Sequence, residues 1–187
     1  MNTYDFVQMT FLAVGGKIQG KTKLQKTVYF LGIITGELEN LGYGPHFYGP
    51  YSAEVADAVG QLHALGFLDS NTNQTGLRGS SGFEATRYDF TLTDAGRDVA
   101  SNKAESHRKF FGKLRDAVKV LKDAGKVDYM KMSIAAKAYF MLGQKQGHAT
   151  TEELSELAQR FGWEVSKEQI TEAAEYLKKL NLIEGGR

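Results

Sequence analysis

The stretch GGKIQGKT at residues 15–22 fits the phosphate-binding loop pattern G-x-x-x-x-G-K-[ST], with Gly15, Gly20, Lys21 and Thr22 at the defining positions. In a working loop of that kind backbone N–H groups cradle phosphates, the lysine reaches the terminal ones and the hydroxyl holds magnesium. That chemistry needs a buried strand before the loop, a helix after it and a carboxylate elsewhere for the metal. A helical period does follow: Leu24, Val28 and Leu31 recur at i, i+4 and i+7, with Thr22 placed as the N-cap. The preceding FVQMTFLAV suits a helix as well as a strand, and the apolar strands of a doubly wound domain are missing. The one run resembling a metal-binding strand, LGFLD, sits directly at the end of a helical pattern. The expectation is that no nucleotide and no other cofactor binds here.

Other reactive side chains do not assemble into a site. His46, His63, His107 and His148 fall in different elements without a metal-ligand spacing. Ser80-Ser81 lies in a glycine-rich run rather than a nucleophile elbow. Glu152 and Glu153 read as charges at a helix start, where the macrodipole favours them. There is no cysteine, which excludes thiol catalysis, disulfides and thiolate zinc sites. No catalytic residue and no metal ligand is assigned, and the protein is not expected to be an enzyme.

The bulk numbers fit a globular protein: 187 residues, 42% hydrophobic, 24% charged, formal net charge +1. A net charge near zero gives no global pull toward nucleic acid or anionic lipid, so any such binding needs a local patch. No apolar run approaches a membrane span, and the start lacks the basic region of a signal peptide. A soluble, cytoplasmic location with no membrane contact is the expectation.

The elements that would position a site follow in order. After the helical 22–35, Pro45 and Pro50 bracket HFYG as rigid extended or turn structure. Ser52 then caps a helix whose apolar stripe is Val55, Ala58, Val59, Leu62 and Leu65. Residues 71–85 read as a mobile polar loop, TRYDFTL alternates like a strand, and Thr93 caps a further helix. Helix, helix, turn, helix, strand, loop, strand is the order of a winged helix. The run Tyr88, Leu92, Thr93, Gly96 and Ala100 looks like the second wing strand and exit helix of small bacterial and archaeal winged-helix regulators. A shift of 115 residues aligns Val55, Ala58, Val59 and Leu62 with Ile170, Ala173, Ala174 and Leu177, followed by a similar strand-like exit. Thr150 and Glu153 form a capping box upstream of it. The expected fold is mostly α with short β wings (α+β): tandem winged-helix-like domains at 1–100 and 125–187, joined by a long connecting helix at 101–124.

The segments KLQKTVYF and YGPYSAEV carry a family likeness. Lys23, Leu24, Gln25, Lys26, Tyr29 and Phe30, then Tyr48, Gly49, Pro50, Glu54 and Val55, form a K-L-Q-K-x-x-Y-F helix followed by Y-G-P-x-x-x-E-V. This resembles the Panacea-type antitoxin domain and a related group of small bacterial winged-helix proteins, over residues 15–70. The resemblance implies a non-enzymatic regulatory or neutralising domain.

Two functions remain open. For double-stranded DNA, Lys17, Lys21, Lys23 and Lys26 cluster around the turn into the second helix, and Arg78 and Arg87 sit in or near the wing. From Lys103 to Lys131 nine Lys/Arg face four Asp/Glu, with Arg108, Arg115, Lys119 and Lys122 on one helical stripe and Phe111, Leu114, Val118 and Leu121 on another. Against DNA, the third helix offers Glu54, Asp57 and Gln61 where a base reader carries cations or amides, and its counterpart offers Glu168, Glu172 and Glu175. For a protein partner, His46, Phe47, Tyr48 and Tyr51 crowd a proline-stiffened loop beside Glu54 and Asp57. Phe47 and Tyr48 are expected to seal the space between helices two and three, leaving Tyr51 exposed. Phe110 and Phe111 mark a seam for a homodimer. The sequence thus points to a winged-helix DNA-binding regulator or, alternatively, a protein-binding antitoxin or adaptor.

Overall fold

The computed structural model describes residues 1–78, 84–125 and 128–184, without the side chains of 73–78 and 84–86. Helix α1 (Thr3–Val14) starts under the Asn2 side chain, which accepts from the Asp5 N–H, and ends at Gly15 in the left-handed region. Phe6, Val7, Met9 and Phe11 put it at the centre of the main core, so FVQMTFLAV is helix. Strand β1 (Lys17–Gln19) follows and turns only Ile18 inward.

Helix α2 (Lys21–Thr35) begins at Gly20, which has φ 88°. That left-handed glycine swings the chain from strand into helix before Thr22 is reached, so Thr22 lies inside the first turn and is not the N-cap. After a single 3-10 turn (Leu38–Leu41) and the proline loop, α3 (Ala53–Ala64) is capped by Ser52 and buries Val55, Ala58, Val59 and Leu62, whereas Leu65, expected on the same stripe, is the C-cap beyond the last turn and lies exposed.

Strands β2 (Leu68–Arg78) and β3 (Glu84–Leu92) pair antiparallel, and β1 adds to the other edge of β3, giving the order β1-β3-β2. Ile18 stands opposite Phe90 and Leu68 opposite Leu92, placing four buried apolar side chains against α1 and α3. The polar run expected as a loop over 71–85 is instead strand up to Arg78 and again from Glu84. Asn71 and Thr72 are exposed, so this ribbon has no face that must be apolar, while its backbone is satisfied by pairing with Asp89 and Tyr88.

Thr93 caps α4 (Asp94–Ser106) as expected. Gly96 lets that helix approach the sheet: a Cβ there would stand 2.0 Å from the carbonyl oxygen of Phe67. The stretch expected as one helix over 101–124 is divided at His107, which ends α4 and begins α5 (Arg108–Asp123). The bend has a packing cause. Ala100 and Ala104 are buried on α4, whereas Leu114, Ala117 and Val118 of α5 enter the main core beside α1 and α2. Of α1 and α2, helix α4 packs against α1, whereas α5 packs against both.

Helices α6 (Tyr129–Gln144), α7 (Thr151–Arg160) and α8 (Lys167–Lys179) complete the chain, α7 and α8 each opening with a capping box. Tyr29 and Phe30 of α2 belong to the cluster formed by Ala135, Ala136, Ala138, Ala173 and Leu177, so α2 is enclosed on both sides. The exits of α3 and α8 correspond at the spacing of 115. Gly66 (φ 72°) matches Asn181 (φ 56°), and the bond from Phe67 N–H to Leu62 carbonyl matches that from Leu182 to Leu177. The strand-like exit expected after α8 is absent among the described residues, which turn and bend there. The architecture is mostly helical with one small antiparallel wing sheet.

Candidate interaction site

The K-L-Q-K segment has a structural purpose residue by residue. Leu24 joins the main core, and Gln25, 5% exposed, turns its amide onto the start of α3. Its Nε2 donates to the Ser52 carbonyl at 2.9 Å and its Oε1 accepts from the Ser52 N–H at 3.1 Å. Lys26, 2% exposed, donates from Nζ to the Pro50 carbonyl. Tyr43 O–H closes the arrangement by donating to the Gln25 carbonyl at 2.7 Å.

From the other side, α6 and the α7–α8 connection take hold of the same loop. Ser133 Oγ donates to the Tyr48 carbonyl, and Trp163 Nε1 donates to the His46 carbonyl at 2.7 Å. Gly49, at φ 92°, runs so close to α6 that a Cβ would meet Lys137 Cγ at 2.9 Å. A short antiparallel bridge, Gly44 to Tyr51, closes the base of the loop. The backbone of residues 46–52 is thus fixed by Lys26 and Gln25 on one flank and by Ser133 and Trp163 on the other.

The side chains behave differently from the backbone. Phe47 is 75% exposed and Tyr48 60% exposed, their rings edge to face at 5.7 Å. The expectation for this trio is therefore reversed: Phe47 and Tyr48 face outward and Tyr51 is half-buried, its ring 4.8 Å from that of His46. Glu54 accepts from Thr3 Oγ1 at 3.1 Å and packs over Gly42, while Asp57 is exposed one turn along α3. His46, Tyr48, Tyr51 and Glu54 are brought to one end of α3, with Phe47, expected as a seal between helices, standing outward beside them.

Burial dominates the electrostatics beneath the loop. Loss of solvent pushes the Lys26 ammonium down to about 7, and the nearby Lys137 charge pushes the same way. Lys137 is itself lowered by burial, opposed by Glu164, and its Nζ lies 5.6 Å from the Trp163 ring centroid. Ser133, Lys137 and Trp163 escaped the sequence reading because nothing local ties them to a loop 117 positions before Trp163.

The residues expected at DNA lie on β1, β2, β3, α2 and α5. Lys17, Lys21 and Lys23 are exposed around β1 and the start of α2, and the Lys21 ammonium sits 4.0 Å above the Tyr88 ring. Arg87 holds Asp89 through Nε at 2.8 Å and a second nitrogen at 3.0 Å. Lys26 is removed from any phosphate-directed cluster by its burial against Pro50, a correction to the sequence reading. Arg78 lies opposite Glu84 on the wing, its side chain outside the described residues. Arg108, Arg115 and Lys119 are exposed on α5, and the two arginines line a groove with Leu12 and Phe111.

The GGKIQGKT segment is the entry to the sheet. Gly15 and Gly16 N–H groups close α1 by donating to Leu12 and Phe11, Gly20 N–H donates to Tyr88, and 17–19 pair with β3. Those amides are directed into the fold rather than gathered around an anion. Ser80 and Ser81 lie outside the described residues. Among the described residues no group of three or more His, Asp or Glu could hold a metal, and no helix is long and apolar enough to cross a membrane.

No protein-family model matches the chain. It is 34% identical over 85 residues to the uncharacterised protein YwgA of Bacillus subtilis (strain 168), covering 46% of this chain and 48% of that protein. The match therefore spans about half the length of that curated relative.

Proposed function

We propose that this chain is a non-enzymatic, winged-helix-type adaptor that docks a protein partner through the loop carrying Phe47 and Tyr48. One observation carries the reading: two large aromatic side chains stand in solvent on a backbone held from both flanks. Exposed aromatics on a rigid support lose little conformational entropy on binding, which is the usual character of a hot spot. The exposed carboxylates Glu54 and Asp57 beside the loop support the same choice, since they repel phosphate. A photo-crosslinking amino acid at Tyr48 in living cells tests it. A discrete adduct that is absent when the probe sits at Lys119 supports docking through the loop; equal labelling at both positions, or none at Tyr48, rejects it.

A second reading, the DNA-binding regulator, draws on a separate feature. Helix α2 begins at Gly20 with no capping side chain, between the exposed Lys17, Lys21 and Lys23. Uncapped helix starts flanked by cations suit phosphate. Binding of a labelled duplex in a salt series tests it: affinity that falls steeply with salt and is lost in Lys21→Glu/Lys23→Glu favours this reading. No binding at low salt removes it.

A further inference from the structure

The aromatic loop belongs to the first half of the chain, yet two of its backbone carbonyls accept side-chain hydrogen bonds from the second half. Trp163 supplies its indole N–H to His46, and Ser133 supplies its hydroxyl to Tyr48. These two carbonyls flank Phe47. Trp163 is 2% exposed and packed against Phe161, with ring centroids 4.8 Å apart, and against Phe140 at 6.0 Å. Its cluster also contains Met141 of α6, Leu154 and Ala158 of α7, and Ile170 of α8. The indole nitrogen can therefore reach His46 only while these helices are assembled around the ring.

We infer that the C-terminal helices are a control element for the aromatic loop, with Trp163 as the positioning residue that transmits their packing to Phe47 and Tyr48. The inference deepens the adaptor reading and rests on it for its biological meaning; its physical content is a coupling between α6–α8 and the loop. A partner that binds the loop only in its held conformation stabilises the packing around Trp163, and anything that disturbs α7–α8 weakens that partner's grip. The tie is well suited to this purpose. Loss of one part-buried hydrogen bond leaves the remaining ties at Pro50 and Ser52 intact, so the loop opens without the protein unfolding.

The test needs no partner, because chymotrypsin cleaves after Phe and Tyr and so reports on opening at 47–48. In Trp163→Phe, which keeps an aromatic ring but lacks the N–H, cleavage at these bonds should accelerate about five- to tenfold, as expected for one lost hydrogen bond. The midpoint of global unfolding should move little, and cleavage at other sites should keep its wild-type rate. Ser133→Ala, on the other flank of Phe47, should produce the same local acceleration, and faster exchange of the Gly49 amide, which donates to the His46 carbonyl, should accompany it. Unchanged cleavage and exchange in both variants overturns the coupling. So does acceleration at all sites in proportion to lost global stability, which marks Trp163 as a core residue only. The adaptor reading fails separately, through the Tyr48 crosslink.

Discussion

The Lys26 ammonium and the Pro50 carbonyl meet in the interior, 24 residues apart in sequence, beneath the loop that carries the two exposed aromatics. A lysine enclosed to this degree opposes its own protonation, and a second cation, Lys137, adds to the effect.

The consequence for stability has a definite sign. In the unfolded chain Lys26 titrates near 10.5, and in the native protein near 7. Below about 7 both states carry the proton, and the full cost of the buried charge is present. Between the two values the unfolded state binds a proton that the native state has released, so stability rises with pH. Lys137, lowered in the same direction, adds to this slope. Urea midpoints should therefore climb from about pH 6 to about pH 9, and the slope should flatten in Lys26→Met. An identical pH slope in the two proteins would show that Lys26 does not titrate in this window.

The second prediction concerns Gly96. With the Phe67 carbonyl 2.0 Å from the site of a Cβ, even alanine pushes α4 off the turn that leads into β2. Gly96→Ala should cost about 1–3 kcal/mol, the range for overpacked interiors. Gly60, on α3 with nothing near its missing Cβ, is the control: Gly60→Ala should be neutral or stabilising by about 0.4–1 kcal/mol. Equal effects at both positions would count against the close approach of α4.

Local chemistry made much of this fold legible. Ser52, Thr93 and Thr150 cap the helices they were assigned to, and Val55, Ala58, Val59 and Leu62 are buried as their period indicates. Both are settled within a few residues of chain. The site was less legible, because its logic is long-range. Lysine is ordinarily exposed, and Lys26 lies off the stripe of Leu24, Val28 and Leu31. It is buried because α6 and α8 cover the opposite side of α2, so residues 24–32 are enclosed all round. The reversal at Phe47 and Tyr48 has a related cause. Tyr43 and Tyr51 occupy positions beside α2 and the start of α3, and the loop's carbonyls are drawn inward, which turns the other two rings out.

Gln8 gives a third prediction. Its side chain is fully buried in α1, and neither amide atom has a hydrogen-bond partner among the described residues. An unsatisfied amide of this kind costs about 1–3 kcal/mol, and an apolar side chain of the same length avoids it. Gln8→Met should raise the denaturation midpoint by a corresponding amount. A loss of stability on that substitution would show that the amide is satisfied in solution.

The last prediction separates the loop's surface from its support. Phe47 and Tyr48 are large, yet most of each side chain is already in water, so replacing them forfeits little burial. The double variant Phe47→Ser/Tyr48→Ser should unfold within about 0.5 kcal/mol of the wild type, as surface changes generally do. Gln25→Ala should behave in the opposite way. It exposes nothing new at the surface, but it leaves the buried N–H of Ser52 without the amide oxygen that satisfies it, while the Ser52 carbonyl keeps its bond from Ala56 N–H, a cost of about 1–3 kcal/mol. Against the partner recovered by crosslinking at Tyr48, the Phe47/Tyr48 variant should bind at least about 30-fold more weakly, the loss expected for a hot spot worth about 2 kcal/mol. Unaltered affinity in that variant would move the docking surface away from this loop, whatever the fate of its supporting hydrogen bonds.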